Sequence, residues 1–187
     1  MTARLDVLVE GYADDRVGSS VVLVRDESAV IVVDPGMIAS RAALLEPLES
    51  AGVTVDAVTD VVFSHHHPDH TLNAALFPNA RFHDHWAIYR DDEWDSRPAE
   101  GFHLSESVWL METPGHTMQD ITTAALTEAG LVVCTHLWWS AEGPVDDPYA
   151  PDLSVLRASR ARVLEMAPST VVPGHGAPFA PDDSTPG

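Results

Sequence analysis

His65, His67, Asp69 and His70 fall within six positions, directly after the apolar and β-branched run Val58, Val61, Val62 and Phe63. Such a run suits a buried strand. In extended backbone, residues two apart point the same way, so His65 and His67 can face one metal ion. Pro68 disfavours helical backbone at His67 and forces a turn. Asp69 and His70 can leave that turn toward a second ion. Imidazole and carboxylate donors together suit zinc, and also iron or manganese.

The rest of the chain repeats the arrangement. A β-rich run ends and a histidine or carboxylate follows at once: Asp34, residues 65–70, His116, His136 and His175. Loops leaving one edge of a sheet can converge on a common cleft, which suits a metal site held by a rigid scaffold. His66 alternates outward from its neighbours and reads as a surface or supporting residue. His83, His85 and His103 read as surface or hydrogen-bonded histidines. Trp138 and Trp139 closely follow His136, so at least one of them can wall a substrate cleft, with simple core packing the equal alternative for both. Trp86, Tyr89 and Trp94 are candidates for a lid.

These residues need elements to position them. Alternation and β-branched content predict strands over 5–10, 20–25, 29–33, 58–63, 80–82, 107–111, 121–126, 131–134 and 170–172. Apolar spacing near 3.6 predicts helices over 41–50 and 153–166, and a short helix over 71–77 halted by Pro78. A Pro, Gly and Asp-rich loop spans 141–152.

Composition bounds the partners. With 187 residues, 45% of them hydrophobic, one well-buried domain over 1–180 is expected, with a frayed tail over 181–187. Ten basic residues, all arginine, stand against 29 acidic ones, for a formal charge of -19. The lack of lysine removes Schiff-base and P-loop chemistry. So acidic a surface repels phosphate backbones, so nucleic acid is not an expected partner and a small-molecule substrate is. Cys134 is the sole cysteine, which excludes a disulfide framework and cysteine-based zinc sites. The first residues lack a basic segment followed by an apolar core, and no stretch approaches the ~20 apolar residues of a membrane span. A soluble, cytoplasmic protein is the expectation; its oligomeric state is not legible.

Four motifs in order, V-V-D-P-G at 32–36, H-x-H-x-D-H at 65–70, T-P-G-H-T at 113–117 and P-G-H-G at 173–176, resemble the metallo-β-lactamase superfamily over nearly the whole chain. A finer resemblance is to the group typified by metallo-β-lactamase domain-containing protein 1. It rests on Leu76-Phe77-Pro78, the segment from Ser159-Arg160 to Leu164, and P-G-H-G-A-P-F at the end. The resemblance implies an α/β fold, a four-layer αββα sandwich with the metal cleft along one edge. It implies one metal held by His65, His67 and His116, and a second, weaker one held by Asp69, His70 and His175. Asp34 would support the site without touching metal.

One departure stands out: Thr135-His136 occupies the place where the family has Gly-Asp. The family's aspartate bridges both metals, whereas neutral imidazole offers one lone pair to one ion. His136 is therefore expected either as a terminal ligand of the second metal or as a residue that withdraws and leaves one metal. Loss of a negative charge between two cations should weaken that site. The chemistry implied is hydrolysis by a metal-bound hydroxide of an ester, thioester, amide or phosphoester, with Asp69 orienting the water and accepting its proton. Two alternatives are a mononuclear iron dioxygenase of a sulfur substrate, against which the missing aspartate counts, and a catalytically drifted metal-binding or sensing domain.

Overall fold

The computed structural model describes residues 2–187. In chain order the elements are β1 (Arg4–Val9), β2 (Tyr12–Ala13), β3 (Val17–Gly18), β4 (Val21–Asp26), β5 (Ala29–Val33), α1 (Ala42–Ser50), β6 (Asp60–Val62) and α2 (Pro68–Thr71). There follow β7 (Arg81–His83), β8 (Ala87–Arg90), β9 (Glu93–Ser96), β10 (Val108–Glu112), β11 (Ile121–Thr127), β12 (Gly130–Cys134), α3 (Leu153–Glu165) and β13 (Thr170–Val172). One sheet has seven strands in the order β1-β4-β5-β6-β7-β8-β9, a second has four in the order β10-β11-β12-β13, and β2 and β3 pair as a separate two-stranded ribbon.

Strand alternation builds the layers. In β4, Val22 and Val24 enter a central core while Val21 and Leu23 face the opposite way, and Ile31 and Val33 against Val32 repeat this in β5. The second sheet sends Leu110, Ile121, Val132 and Val172 to the same central core. Its other face carries Met111, Ala124, Val133 and Val171. Both sheets are thus covered on two sides, which explains runs as uniformly apolar as 29–33. Leu44 and Leu48 of α1 cover the first sheet, and Leu156 and Val163 of α3 cover the second. The result is the αββα sandwich. Burying each such leucine is worth about 1.5–3 kcal/mol.

The second of these helices also fixes loops. In α3, Asp152 caps the start by accepting from the Ser154 amide at 2.8 Å. Farther along, Ser159 donates to the Pro114 carbonyl, and buried Arg160 donates to the carbonyls of Leu137, Pro144 and Val145. One helix therefore pins both the loop carrying His116 and the loop following His136.

The short helix expected over 71–77 is corrected. It begins at Pro68 as α2, and a separate 3₁₀ turn spans Ala74–Leu76. Proline's fixed φ suits the first helical position, so Asp69 and His70 lie inside the helical turn and not before it. The aromatic segment after His83, left without register by the sequence, forms the β8–β9 hairpin on the edge of the seven-stranded sheet. Beyond Pro181 there is no strand or helix, and the Pro186 carbonyl accepts from the Trp138 indole. Among the described residues, no helix is long and apolar enough to cross a membrane.

Candidate metal centre

The histidine turn is locked in place by the segment after β5. Asp34 sits at φ +52°, a backbone region unusual for a residue with a side chain. That turn aims its carboxylate inward: Oδ1 accepts from the Ser64 amide at 2.7 Å and Oδ2 meets His70 Nδ1 at 2.9 Å. Gly36 packs so closely on the backbone of Asp69 and His70 that a side chain there would overlap them. Met37 N–H donates to the Asp69 carbonyl at 3.0 Å, and Asn73 N–H to that of Pro35 at 2.8 Å. V-V-D-P-G is thus the clamp on the turn that follows β6.

Three nitrogens converge first. His67 Nδ1 lies 3.0 Å from His65 Nε2 and 3.0 Å from His116 Nε2. A tetrahedral zinc with bonds of ~2.0–2.1 Å separates its ligand atoms by roughly 3.3 Å, close to this spacing. A second set adjoins: Asp69 Oδ2 is 3.4 Å from His70 Nε2 and 3.5 Å from His175 Nε2. His136 stands between the two. Its Nε2 lies 3.0 Å from His175 Nε2, and it groups as readily with His65 and His116 as with His70 and His175, all within 4.8 Å. The structure therefore brings together all seven residues singled out from the sequence.

The remaining nitrogen of each histidine tests whether the set fits a metal. His65 Nδ1 meets Ser64 Oγ at 3.0 Å, His70 Nδ1 meets Asp34, His116 Nδ1 meets Asp147 Oδ2 at 2.8 Å, and His175 Nδ1 meets the Gly18 carbonyl at 3.1 Å. The carboxylate and carbonyl partners of His116 and His175 only accept, so they place the proton on Nδ1 and leave the inward Nε2 with its lone pair free, as a metal ligand requires. His70 Nε2 and His136 Nδ1 are buried with no hydrogen-bond partner. Orphaned buried polar atoms are rare and call for an ion or ligand. The donor set fits.

Electrostatics agree. Burial and the neighbouring imidazoles hold His65 and His136 well below the usual histidine range, and burial lowers His67 and His175 as well. These rings are neutral near pH 7. His70 is the exception. Burial opposes its charge, but the Asp34 and Asp69 carboxylates prevail and raise it to about 9. Asp69 is lowered to about 2 against its own burial by His70 and His175, so it is ionised.

Above this set opens a cleft of about 400 Å³, bordered by His67, Asp69, His116, His175, Trp139, Tyr149 and Arg16. Trp139 and Tyr149 stack at 5.9 Å, whereas Trp138 is fully buried in the core against α3. His66 pairs with Asp84 at 2.8 Å, and His83 is buried against Asp60 at 2.8 Å. Sequence reasoning missed Asp147. Its Oδ2 accepts from both His116 and the Trp139 indole, so it orients a metal-site histidine and a cleft wall together. Nothing in the Pro- and Asp-rich spacing of residues 141–152 distinguishes it from Asp146.

Comparison with known proteins gives the same picture. The family model described as the metallo-beta-lactamase superfamily matches residues 14–131. The Xenopus laevis protein named metallo-beta-lactamase domain-containing protein 1 is 34% identical, over 92% of this chain and 79% of its own. A solved metallo-beta-lactamase-like protein from Thermotoga maritima superposes with a TM-score of 0.75 at 23% identity, covering 97% of this chain and all of the other. An N-acyl homoserine lactone hydrolase, solved with N-hexanoyl-L-homoserine bound at its catalytic metal centre, superposes with a TM-score of 0.67 at 19% identity, over 93% and 92% of the two chains.

Proposed function

Because the chain belongs to the metallo-β-lactamase superfamily, we propose that it is a metal-dependent hydrolase of a small-molecule carboxylic ester, thioester or lactone. Its metals would be two zinc ions, with iron or manganese as chemically admissible replacements. The observation that carries the reading is Asp69, an ionised carboxylate that is 17% exposed to the cleft while surrounded by inward-facing imidazoles.

His65, His67 and His116 would hold one ion; Asp69, His70 and His175 would hold the other, with His136 reaching it from between the two sets. A bound divalent ion supplies Lewis acidity, polarising a carbonyl and lowering the pKa of water from 15.7 toward about 7. Asp69 orients the attacking water through its free lone pairs and accepts its proton. Asp34 and Asp147 engage Nδ1 of His70 and His116 and so direct the Nε2 atom of each ring toward the ion positions. Trp139 and Tyr149 cover one side of the cleft and restrict water there. The formal charge of -19 disfavours polyanionic phosphodiesters, leaving carboxylic derivatives as the favoured class.

The test is hydrolysis of an ester, thioester, lactone, amide and phosphodiester panel by the metal-loaded protein. Turnover of a carboxylic derivative should disappear on chelation and return with zinc. No turnover across the panel overturns the hydrolase reading, and oxygen uptake with stoichiometric bound iron replaces it with an oxygenase.

A further inference from the structure

A larger cavity, about 630 Å³, opens on the other side of His67, walled by Phe63, Phe82, Trp86, Tyr89 and Trp94. His67 borders both spaces, so a molecule whose scissile bond lies at the metal centre can extend directly into the second. We propose that this cavity binds a flat, uncharged, apolar group of the substrate, an aryl or comparable ring system, beside the bond that is cleaved. The proposal rests on the hydrolase reading and adds the substrate class.

The walls are preorganised and mostly apolar, with Thr117 and Gln119 as uncharged polar residues among them. Phe63 and Phe82 stack at 6.0 Å with 15° between their planes, His66 stacks on Trp86 at 5.7 Å, and Tyr89 meets Trp94 edge-on at 4.7 Å. The carboxylate among them, Asp84, has no capacity to spare. Its Oδ1 accepts from the amides of Trp86 and Ala87, and its Oδ2 contacts His66 Nε2 and accepts from the Tyr89 hydroxyl. Asp84 therefore props three walls in position and repels an anion without offering a ligand a hydrogen bond. The cation bordering the metal cleft, Arg16, lies on the opposite side of His67. Trp86 is 46% and Trp94 66% exposed. Two solvent-exposed indoles on an edge hairpin beside an apolar cavity gain most by stacking on a ring.

Calorimetric titration of the intact protein with 2-naphthol, which no hydrolysis consumes, tests the assignment with and without zinc. The proposal expects saturable 1:1 binding in both states. Anionic 2-naphthalenesulfonate should bind at least about tenfold more weakly, because it meets the Asp84 carboxylate and the net negative charge. Trp94→Ala should weaken 2-naphthol by about three- to tenfold, and Trp94→Phe should recover most of the loss. Trp94 is exposed, and an unchanged thermal unfolding curve checks that the variant folds. If the hydrolase reading holds, 2-naphthyl acetate should show a lower KM than ethyl acetate, and Trp94→Ala should raise that KM with little change in kcat. Naphthol binding that depends on Trp94 without any ester turnover supports the cavity and removes only the hydrolase reading. The proposal is overturned by absent naphthol binding, by equal binding of the sulfonate, or by tighter binding of 2-naphthylmethylammonium.

Discussion

Gly174 offers a way to move His136 without changing a single ligand atom. The His136 ring packs against Gly174, so a methyl group added there would overlap its Cδ2 and sit 2.8 Å from its Nε2 and 3.0 Å from its Cγ. The backbone has little room to yield, since Gly174 N–H donates to the Trp138 carbonyl and its own carbonyl accepts from the Ser20 amide. Gly174 is not among the residues with positive φ, so alanine brings no backbone strain of its own. The ring must retreat to ordinary contact at about 3.5–4.0 Å, a shift of roughly 1–1.5 Å. Metal–ligand distances tolerate about 0.2 Å, so Gly174→Ala removes His136 as a ligand. Affinity for the second metal should fall at least about tenfold, equivalent to about 1.4 kcal/mol. The metal-free protein should lose about 1–3 kcal/mol from overpacking. Titration of zinc against a competing chelator reads the first effect, and thermal unfolding of the metal-free protein reads the second. In a His136→Ala background the clash disappears, and Gly174→Ala should change neither quantity. Parent-like metal affinity in Gly174→Ala, or an equal penalty in both backgrounds, refutes the reasoning.

Three further outcomes follow from the same site. His136→Asp returns a negative charge between the two ion positions and should tighten the second metal about tenfold in the same titration. Asp147→Asn should weaken metal binding by about 10- to 100-fold with little loss of fold, because it removes the carboxylate that fixes the His116 tautomer. The third concerns pH. His70 is raised to about 9, so its stabilising charge on the metal-free protein is fully present below its unfolded value of about 6.5 and is lost as pH rises through 9. A metal needs the neutral ring, so affinity at the second site should climb about tenfold per pH unit from 7 toward 9 and then level off. Denaturant titrations and zinc titrations across that range check both signs.

What was legible in the sequence is what local chemistry encodes. The strand-end positions of Asp34, His65 to His70, His116, His136 and His175 could be read because a β-run has a visible end and each motif sits on it. The layers were implied by the family resemblance, and the apolar runs Val21 to Val24 of β4 and Ala29 to Val33 of β5 fit a sheet buried on both faces. The start of α2 was misplaced because Pro68 reads as a turn former and a helix starter alike. Asp147, the Gly174 contact and the aromatic cavity were not legible. Each depends on partners far away in sequence: His116 for Asp147, His136 for Gly174, and the β8–β9 hairpin folding against Phe63 and Phe82. The His136 departure was visible, but its place between both ligand sets is a property of the fold alone.

The central claim is that two metal positions share this histidine cluster, and anomalous diffraction at the zinc edge from zinc-loaded crystals tests it directly. The account predicts two peaks. One is bound by His65 Nε2, His67 Nδ1 and His116 Nε2; the other is bound by Asp69, His70 Nε2 and His175 Nε2, with a His136 nitrogen within ligand distance. A map with fewer than two peaks among these residues, or with metal bound only elsewhere on the acidic surface, contradicts it.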